Sequence, residues 1–401
     1  MTTHTYHSDV CIVGSGAVGK AAALGFSQAG LRVSILSAAA PSPSPVLDQW
    51  DVRVFALNHV AHDLLASLKV WDALDLERVA EVSAMQVVDS NVHSGKSGGS
   101  VAFDAYGAHI EELAWIVEDR NLNHALDTAL KFARNVTHVV GQAKSFSVTD
   151  HHGVITLENG GTLSASLVVG ADGAQSWVRG QCDIGIDYRS YGQRGVVTNF
   201  SCEKPHRGVA RQWFVEELGI IALLPLPGQR VSLVWSAPDT LATELVRESL
   251  NALAERLAPY CADALGVLTP LRPEEIKAFP LQLIRPHSNI AQRVALIGDA
   301  AHVVHPLAGH GMNLGFADVT VLLAEVNGRE AHRDCGDQRV LNRYRRARRE
   351  EVAMMQMTTD GLARLFGSDL EPVRFVRNVG LNLLNRLPVL KRKLIAHAMG
   401  K

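Results

Sequence analysis

The chain has 401 residues, 47% of them hydrophobic and 20% charged, with a formal net charge of −2. This length exceeds one typical domain, so we expect two domains that share an interface. There is no apolar run of about 18 residues and no basic segment with a cleavage site at the start, so we predict neither a membrane-spanning helix nor a secretion signal. The five cysteines are scattered and never in CxxC spacing, which favours reduced thiols in a cytoplasm and argues against disulfides or a zinc site.

The amino terminus carries a glycine-rich motif between predicted elements. Residues 9–13 (DVCIV) predict a buried strand, residues 20–29 a helix and residues 31–36 (LRVSIL) a second strand. The glycines permit a tight turn, close approach of the backbone to a pyrophosphate and close helix–strand packing. The strand–GxGxxG–helix–strand order therefore predicts a dinucleotide site. Its candidate cofactor-binding residues are Gly14, Gly16, Ala17, Val18 and Gly19.

The residue after the second strand departs from this fingerprint. An acidic residue usually binds a ribose hydroxyl at this point, whereas this chain has Ser37. A serine hydroxyl can accept or donate one hydrogen bond, but it cannot make the charge-assisted, bidentate contact of a carboxylate. We therefore expect either a weaker contact through Ser37 or a ribose contact from another residue, such as Arg53.

Two later segments repeat the order of strand, acidic turn and helix. Residues 294–297 (VALI) predict a buried strand that ends at Gly298 and Asp299, and a loop with proline and glycine precedes an apolar helix opening with Met312. Residues 167–179 (LVVGADGAQSWVR) give another strand, an acidic turn and a helix start. Free N–H groups at helix starts attract electron-rich atoms, and the three motifs together predict a flavin site.

With these motifs in view, the chain resembles the flavin-dependent aromatic hydroxylases, the group of para-hydroxybenzoate hydroxylase. The shared motifs are GxGxxG, ADG at 171–173 and GDAAH at 298–302. Within that group it most resembles the ubiquinone-biosynthesis hydroxylases, through LAWIVEDRNLNHAL (113–126), HPLAGHGMNLGFAD (305–318) and the segment at 377–400. Besides Ser37, two positions depart from the family pattern, with His310 in place of the usual Gln and Asp119 in place of Asn.

The resemblance implies FAD as the cofactor and assigns roles to further residues. Arg53 and Arg120 match cofactor-contacting arginines, and Asp172 with Gly173 braces the cofactor and helps to bind NAD(P)H. From the chemistry of a flavin, Asp299 can accept a hydrogen bond from a ribityl hydroxyl, and backbone amides near a helix start stabilise the reduced ring. The further candidates for cofactor binding are Gly298, Leu307, Ala308, Gly311, Met312 and Asn313. The loop at the flavin ring contains Pro306, Gly309 and His310, and no side-chain base is assigned.

Other residue groups leave alternatives open. His302, His305 and His310 lie close together in sequence, but the proline and glycines between them break any helix, so we predict no metal site. The strand residues Trp213, Phe214, Leu223 and Pro225 either line an apolar pocket over the ring or pack in the core.

The predicted fold is α/β. A Rossmann-like FAD-binding domain (residues 1–80, 113–186 and 286–338) is interleaved with an α+β substrate domain (81–112 and 187–285) built on an antiparallel sheet. In the substrate domain we predict strands at 196–200, 210–215, 220–226 and 230–235 and a helix near 241–258. Residues 339–401 form a helical carboxyl-terminal tail.

This tail is basic. Residues 339–401 contain 14 Lys or Arg and 5 Asp or Glu, a net of +9, so residues 1–338 carry −11 within the total of −2. The apolar and basic residues alternate as in an amphipathic helix. The tail either packs on its own domain or forms a surface for anionic lipid or for partner proteins that handle a lipid-tailed substrate. Nucleic-acid binding is a poor fit, because stacking aromatics are not interleaved with the basic residues.

The resemblance implies an FAD-dependent monooxygenase that hydroxylates the ring of a polyprenyl phenol or quinol in ubiquinone biosynthesis. In that reaction NAD(P)H reduces FAD, and O₂ gives a C4a-hydroperoxyflavin that transfers one oxygen. The alternatives are an FAD hydroxylase of a small soluble phenol and a flavoprotein subunit without turnover. We expect a cytoplasmic protein, with attachment to the inner face of the membrane left open.

Overall fold

The computed structural model describes residues 5–40, 49–89, 99–272, 275–305 and 310–366. The strands are β1 (Thr5–Val13), β2 (Val33–Ser37), β3 (Val54–Leu57), β4 (Val79–Val82), β5 (Ala84–Asp89), β6 (Ser100–Asp104), β7 (Ala114–Glu118), β8 (Val136–Val140), β9 (Ala143–Val148), β10 (Gly153–Leu157), β11 (Thr162–Gly170), β12 (Ile186–Cys202), β13 (Val209–Val215), β14 (Gly219–Leu226), β15 (Arg230–Pro238), β16 (Leu268–Pro270), β17 (Lys277–Pro286), β18 (Ile290–Ala291) and β19 (Val294–Leu296). The helices are α1 (Ala17–Gln28), α2 (His59–Ser67), α3 (Ala105–Ala108), α4 (Asp119–Lys131), α5 (Trp177–Gln181), α6 (Asp239–Arg247), α7 (Leu250–Leu265), α8 (His310–Asn327) and α9 (Gln338–Phe366), with short 3₁₀ turns at Trp71–Ala73, Leu76–Arg78 and Gly298–Ala300.

The first sheet carries all three glycine-containing motifs. Its strand order is β18–β19–β11–β1–β2–β8, and β10 and β9 extend it from β11 as antiparallel hairpins. Strands β19, β11, β1, β2 and β8 are parallel, as expected for short apolar strands covered on both faces. Val13 pairs with Gly170, and Gly170 pairs with Leu296. The carboxyl ends of β1, β11 and β19 are therefore side by side, and the turns after them meet at one edge of the sheet.

The second sheet has the order β16–β12–β15–β14–β13–β5–β6, and β17 pairs with β12. Its described pairings are antiparallel except for β13 with β5. Helices α6 and α7 pack on one face, around a core that includes Phe200, Trp235 and Leu257. A small sheet of order β3–β7–β4 packs against the other face, where Ala80 and Ile116 meet Leu226.

Several predicted elements are confirmed and others need correction. The four predicted antiparallel strands of the second sheet are present, although the first of them begins at Ile186. The single helix predicted near 241–258 is wrong, because α6 ends at Arg247 and α7 begins at Leu250. The Ser249 hydroxyl caps α7 by accepting a hydrogen bond from the Ala252 amide at 3.2 Å. The helix predicted to open with Met312 begins two residues earlier, at His310.

Helix α9 packs on the first sheet and its helices. Val340, Leu341 and Tyr344 are fully buried in the same core as α1 and α8. No helix within the described ranges is both long and apolar enough to cross a membrane. Residues 367–401 of the predicted tail lie outside the described residues, and the predicted division of the chain into domains stays a prediction.

Candidate active site

The glycine loop after β1 is shaped by close backbone contacts. Gly14 has φ +111°, and a Cβ added there would lie 2.3 Å from the carbonyl oxygen of Ala171. A Cβ on Gly19 would lie 2.5 Å from the carbonyl oxygen of Gly14. In contrast, a Cβ on Gly16 would meet no atom within 4 Å. The loop therefore packs tightly against the second motif and leaves open space in front of Gly16.

Helix α1 begins at this open space with unsatisfied donors. The cap residue Gly16 has no side chain that could accept a hydrogen bond from the first turn. The first backbone hydrogen bond of the helix runs from the Lys20 amide to the Gly16 carbonyl at 2.9 Å. The amides of Ala17, Val18 and Gly19 therefore have no partner within the helix. With the positive end of the helix dipole behind them, they suit a pyrophosphate.

Ser37 lies at the end of β2 with its hydroxyl already engaged. Its Oγ donates a hydrogen bond to the carbonyl oxygen of Ala39 at 2.7 Å, and the residue is buried. The hydroxyl oxygen keeps lone pairs, so Ser37 can accept a hydrogen bond from a ribose hydroxyl but has no proton left to donate.

Arg53 is the more exposed of the two candidate arginines. Its side chain is 62% exposed, lies 3.9 Å from an Asp119 carboxylate oxygen and stacks 5.3 Å from the ring centre of Phe55. Burial raises the pKa of Asp119, and Arg53 opposes that rise. The Arg53 guanidinium is therefore held loosely at the surface and is free to contact a bound anion or ribose.

Arg120 is fixed by a buried carboxylate. Its Nε lies 3.6 Å from Asp51, and the Asp51 carbonyl accepts a hydrogen bond from the Asn199 side chain at 2.8 Å. Glu118, in turn, accepts a hydrogen bond from the Asp51 amide and forms a two-point ion pair with Arg78 at 2.7 and 2.9 Å. Burial raises the pKa of Glu118, and Arg78 opposes it. This polar cluster connects Glu118, at the end of β7, with Asn199 on β12 of the second sheet.

The second motif is braced by its aspartate. Asp172 accepts a hydrogen bond from the Val178 amide at the start of α5 at 3.0 Å, and Gly173 has φ +82°. The sequence reasoning missed Arg179, whose guanidinium is buried. It donates hydrogen bonds to the Ala300 carbonyl at 3.0 Å and to the Ala174 carbonyl at 2.7 Å. Arg179 therefore ties the second motif to the third.

The third motif packs against the glycine loop, and the open space in front of Gly16 is called the cleft from here on. Asp299 remains open to solvent although protein atoms surround it on most sides, and this enclosure raises the pKa of its carboxyl while His302 and Arg53 lower it. Gly298 has φ +60° and lies against Val18 of the glycine loop. The first and third motifs therefore meet directly, with the Asp299 carboxylate beside them.

The start of α8 is held by an asparagine. The Asn313 side chain accepts a hydrogen bond from the Asn58 amide at 2.9 Å and donates one to the Ala56 carbonyl at 2.8 Å. Met312 packs on the first core, and a Cβ on Gly311 would meet nothing within 4 Å. The helix start is therefore fixed against β3 but leaves space beside Gly311.

Comparisons with known proteins agree with this geometry. Residues 7–359 match a family model described as an FAD binding domain. The chain is 34% identical over 395 residues to the 3-demethoxyubiquinol 3-hydroxylase of Escherichia coli (strain K12), covering 98% of both chains. It is 34% identical over 397 residues to ubiquinone hydroxylase UbiL of Rhodospirillum rubrum, covering 98% of this chain and 90% of the relative. The p-nitrophenol 4-monooxygenase PnpA from Pseudomonas putida DLL-E4 has the same fold, with a TM-score of 0.78 at 20% identity over 99% of both chains.

The chain belongs to the ubiquinone-biosynthesis family of FAD-dependent hydroxylases. Its cofactor is FAD, and the cleft fits that group. The uncapped start of α1, the open space at Gly16 and the solvent-facing Asp299 supply a pyrophosphate site and a ribityl acceptor in one cleft.

Two of the predicted histidines are buried in the hydroxylase. His305 is 1% exposed, its Nε2 lies 3.3 Å from the Gln193 side-chain oxygen, and its ring packs edge-on against Tyr191 with 4.8 Å between centres. Burial lowers the pKa of His305 to about 4, so the ring is neutral at pH 7. His302 is 3% exposed, and its Nε2 lies 2.6 Å from the carboxylate of the buried Asp318. In the described ranges, no group of three His, Cys, Asp or Glu side chains is arranged to hold a metal ion.

The flavin-ring loop is only partly described. The predicted residues Pro306, Leu307, Ala308 and Gly309 lie outside the described residues. His310 is the first residue of α8, and its side chain is likewise outside the description. The contribution of these residues to the site stays a prediction.

The four strand residues for which a pocket and the core were both left open are all buried. Trp213 and Leu223 point into the core between the second sheet and helices α6 and α7, so the core-packing alternative applies to them. Phe214 points the opposite way but packs against Val87 and Val101 in a small buried cluster. Pro225 is buried as well. Because successive strand residues face opposite sides of a sheet, Trp213 and Phe214 cannot line the same surface.

Proposed function

We propose that the protein hydroxylates the aromatic ring of a polyprenyl phenol or quinol during ubiquinone biosynthesis, with FAD and O₂. The observation that carries the proposal is the meeting of three strand ends at one cleft in a chain of this family. The relative that matches along 98% of both chains bears the name 3-demethoxyubiquinol 3-hydroxylase.

The residues of the cleft perform the binding and the orientation in this proposal. The amides of Ala17 to Gly19 bind the pyrophosphate, and Asp299 accepts a hydrogen bond from the ribityl chain. The amides at the start of α8 would stabilise the reduced, negatively charged form of the flavin. Bound FAD, once reduced, supplies the activation of O₂. We propose NAD(P)H as the reductant, with Asp172 and Gly173 at its contact.

A lipid-tailed substrate has to reach the cleft from a membrane, and the exposed face of α9 suits an anionic lipid surface. Arg345, Arg346 and Arg349 are exposed on this helix, and Met354 and Met357 are 49% and 72% exposed. A basic segment followed by exposed apolar side chains is the pattern of helices that lie on anionic bilayers.

Vesicle sedimentation tests this docking. Vesicles of a neutral phospholipid alone or with an anionic phospholipid are mixed with the purified protein and with Arg345→Glu/Arg346→Glu. The control Lys131→Glu/Arg134→Glu makes the same charge change at exposed residues at the end of α4. Binding to anionic vesicles that is lost in the α9 variant and kept in the control supports the proposal. Equal binding by all three proteins contradicts it.

Quinone analysis tests the reaction. A strain that lacks this gene and has no redundant hydroxylase is grown in air, and its quinones are extracted for mass spectrometry. We expect less ubiquinone and an accumulated polyprenyl intermediate that lacks one ring oxygen. Restoration by the wild-type gene and not by Asp299→Ala assigns the loss to the flavin site. An unchanged quinone pool would instead favour a soluble phenol as substrate, and turnover that is independent of prenyl length would support the same alternative.

A further inference from the structure

A buried aspartate on α8 connects helix α9 to the turn at Gly298–Ala300, which carries Asp299 and is called the flavin turn from here on. Asp318 is 1% exposed. One of its carboxylate oxygens accepts hydrogen bonds from the Gly298 amide at 2.9 Å and from Nε2 of His302 at 2.6 Å. The other oxygen accepts a hydrogen bond from Nε of Arg348 at 2.7 Å. Three segments that are distant in sequence therefore share one carboxylate beside the turn that carries the ribityl acceptor.

Two neighbours, His302 and Arg348, keep this carboxylate charged. Burial alone would raise the pKa of Asp318, but His302 and Arg348 hold it below its usual value. Arg348 is itself 1% exposed, and it also donates to the Leu314 carbonyl at 3.2 Å and pairs with Glu351. A buried carboxylate that loses its cation either takes up a proton or rearranges, because an isolated charge is costly away from water.

Helix α9 is connected to the backbone around the flavin turn at two points. Tyr344, one helical turn before Arg348, is fully buried, and its hydroxyl donates to the Leu296 carbonyl at 2.8 Å. Leu296 ends β19, and Gly298 follows two residues later with φ +60°. The backbone just before Asp299 is thus held from both sides by residues of α9, directly by Tyr344 and through Asp318 by Arg348.

We propose that Arg348 is a positioning residue for FAD, which acts through Asp318 and the Gly298 amide to orient the Asp299 carboxylate toward the ribityl chain. The proposal rests on the proposed function only through FAD binding, and not on the substrate or the pathway. Its tests therefore use FAD binding to the purified full-length apoprotein, which can succeed even if the protein acts on another phenol.

The chain offers a matched control for Arg348. Arg343 also lies on α9 and forms ion pairs with Glu325 of α8, at 2.8 Å, and with Glu330, at 3.4 Å, but its side chain is 28% exposed and no described contact joins it to the flavin turn. Arg343→Met and Arg348→Met each remove an ion pair between the same two helices. Only the second removes the cation beside Asp318.

Titration of FAD with the apoproteins, followed by quenching of flavin fluorescence, measures the effect. We expect the Kd of Arg348→Met to rise about tenfold or more, by analogy with the loss of metal affinity when the outer hydrogen-bond partners of metal ligands are removed, with an altered visible spectrum of the bound flavin. Arg343→Met should stay within about twofold, on the view that surface ion pairs contribute little. Arg348→Lys keeps the charge and should recover part of the affinity. It also serves as the test if Arg348→Met does not fold.

A double-mutant cycle with Asp299→Ala distinguishes an effect of Arg348 on the position of Asp299 from a general effect on the packing of helix α9. If Arg348 acts through Asp299, Arg348→Lys should weaken FAD binding in the wild-type background and have no further effect in the Asp299→Ala background. The proposal is overturned if both Arg348 variants bind FAD like the wild type. It is also overturned if Arg343→Met weakens binding equally, or if the Arg348→Lys effect is unchanged beside Asp299→Ala.

Discussion

Gly19→Ala should weaken both the fold and FAD binding. The added methyl group would lie 2.5 Å from the carbonyl oxygen of Gly14 and 3.2 Å from Cβ of Ala171. The first neighbour is backbone in the loop that faces the pyrophosphate, so relief of the clash requires movement of the loop itself. The glycine is therefore needed for the approach of helix to loop and not for a special φ.

The expected magnitude follows from two opposing terms. Replacement of glycine by alanine inside a helix favours folding by about 1 kcal/mol. Insertion of a methyl group into a packed site costs about 1–3 kcal/mol. Because the clashing atom belongs to the backbone, we expect the upper part of that range. The free energy of unfolding of the apoprotein should fall by about 1–2 kcal/mol, and the Kd for FAD should rise by about tenfold, the equivalent of about 1.4 kcal/mol.

Gly180→Ala is the matched control. Gly180 also lies in a helix, α5, but a Cβ there would meet no atom within 4 Å, and the residue is exposed. This variant should gain about 0.4–1 kcal/mol in urea unfolding and keep its affinity for FAD. The reasoning is refuted if Gly19→Ala gains stability as Gly180→Ala does and binds FAD within twofold of the wild type.

Three further variants test the core and the buried charges. Lys20→Met leaves Asp127 of α4 without its cation, now 2.7 Å away. We expect a loss on the order of 1–3 kcal/mol in urea unfolding, because Asp127 is partly exposed, and partial recovery in Lys20→Met/Asp127→Leu. Leu223→Ala should cost about 2–5 kcal/mol in urea unfolding with an unchanged Kd for FAD, and a large change in Kd would contradict the core assignment. His305 has a folded pKa of about 4, and an unfolded histidine titrates near pH 6.5. The unfolded chain therefore binds the extra proton between these values, and this group lowers the unfolding free energy by up to about 3 kcal/mol as pH falls from about 6.5 to 4. Urea unfolding of His305→Gln at several pH values should lack this slope, and an unchanged slope would contradict a neutral His305.

The sequence predicts that the turns after β1, β11 and β19 meet at one edge of the first sheet, because each of these motifs is encoded by neighbouring residues. A short apolar strand, a glycine turn and a helix follow one another within about 30 residues at the amino terminus, and each obeys a simple steric rule. Parallel strands then bring Val13, Gly170 and Leu296 together without further information. The same locality explains why the sequence could propose Asp172 and Asp299 as candidate cofactor residues.

The residues that the sequence did not predict have distant partners. Arg179 contacts the Ala300 carbonyl 121 positions away, and Arg348 contacts Asp318 30 positions away. An arginine on a helix gives no local sign that it is buried, since arginines are mostly exposed. For a related reason, the sequence left open whether Trp213 lines a pocket or packs in the core. Trp213 and Phe214 are adjacent apolar residues of β13, so the pattern does not reveal which of them meets the helices.

The sequence left two alternatives for the basic tail, packing on its own domain or forming a surface for anionic lipid or partner proteins. The two faces of α9 correspond to these alternatives. Val340, Leu341 and Tyr344 pack in the core, and Arg348 is buried against Asp318, so this face belongs to its own domain. Arg345, Arg346 and Arg349 stay exposed on the other side. The two alternatives therefore do not exclude each other along this helix. If the exposed face meets a lipid surface, the opposite face of the same helix is the one that holds the flavin turn. Contact with the membrane and the position of the Asp299 carboxylate would then be properties of a single helix, and lipid binding should change FAD affinity in the wild type but not in Arg348→Met.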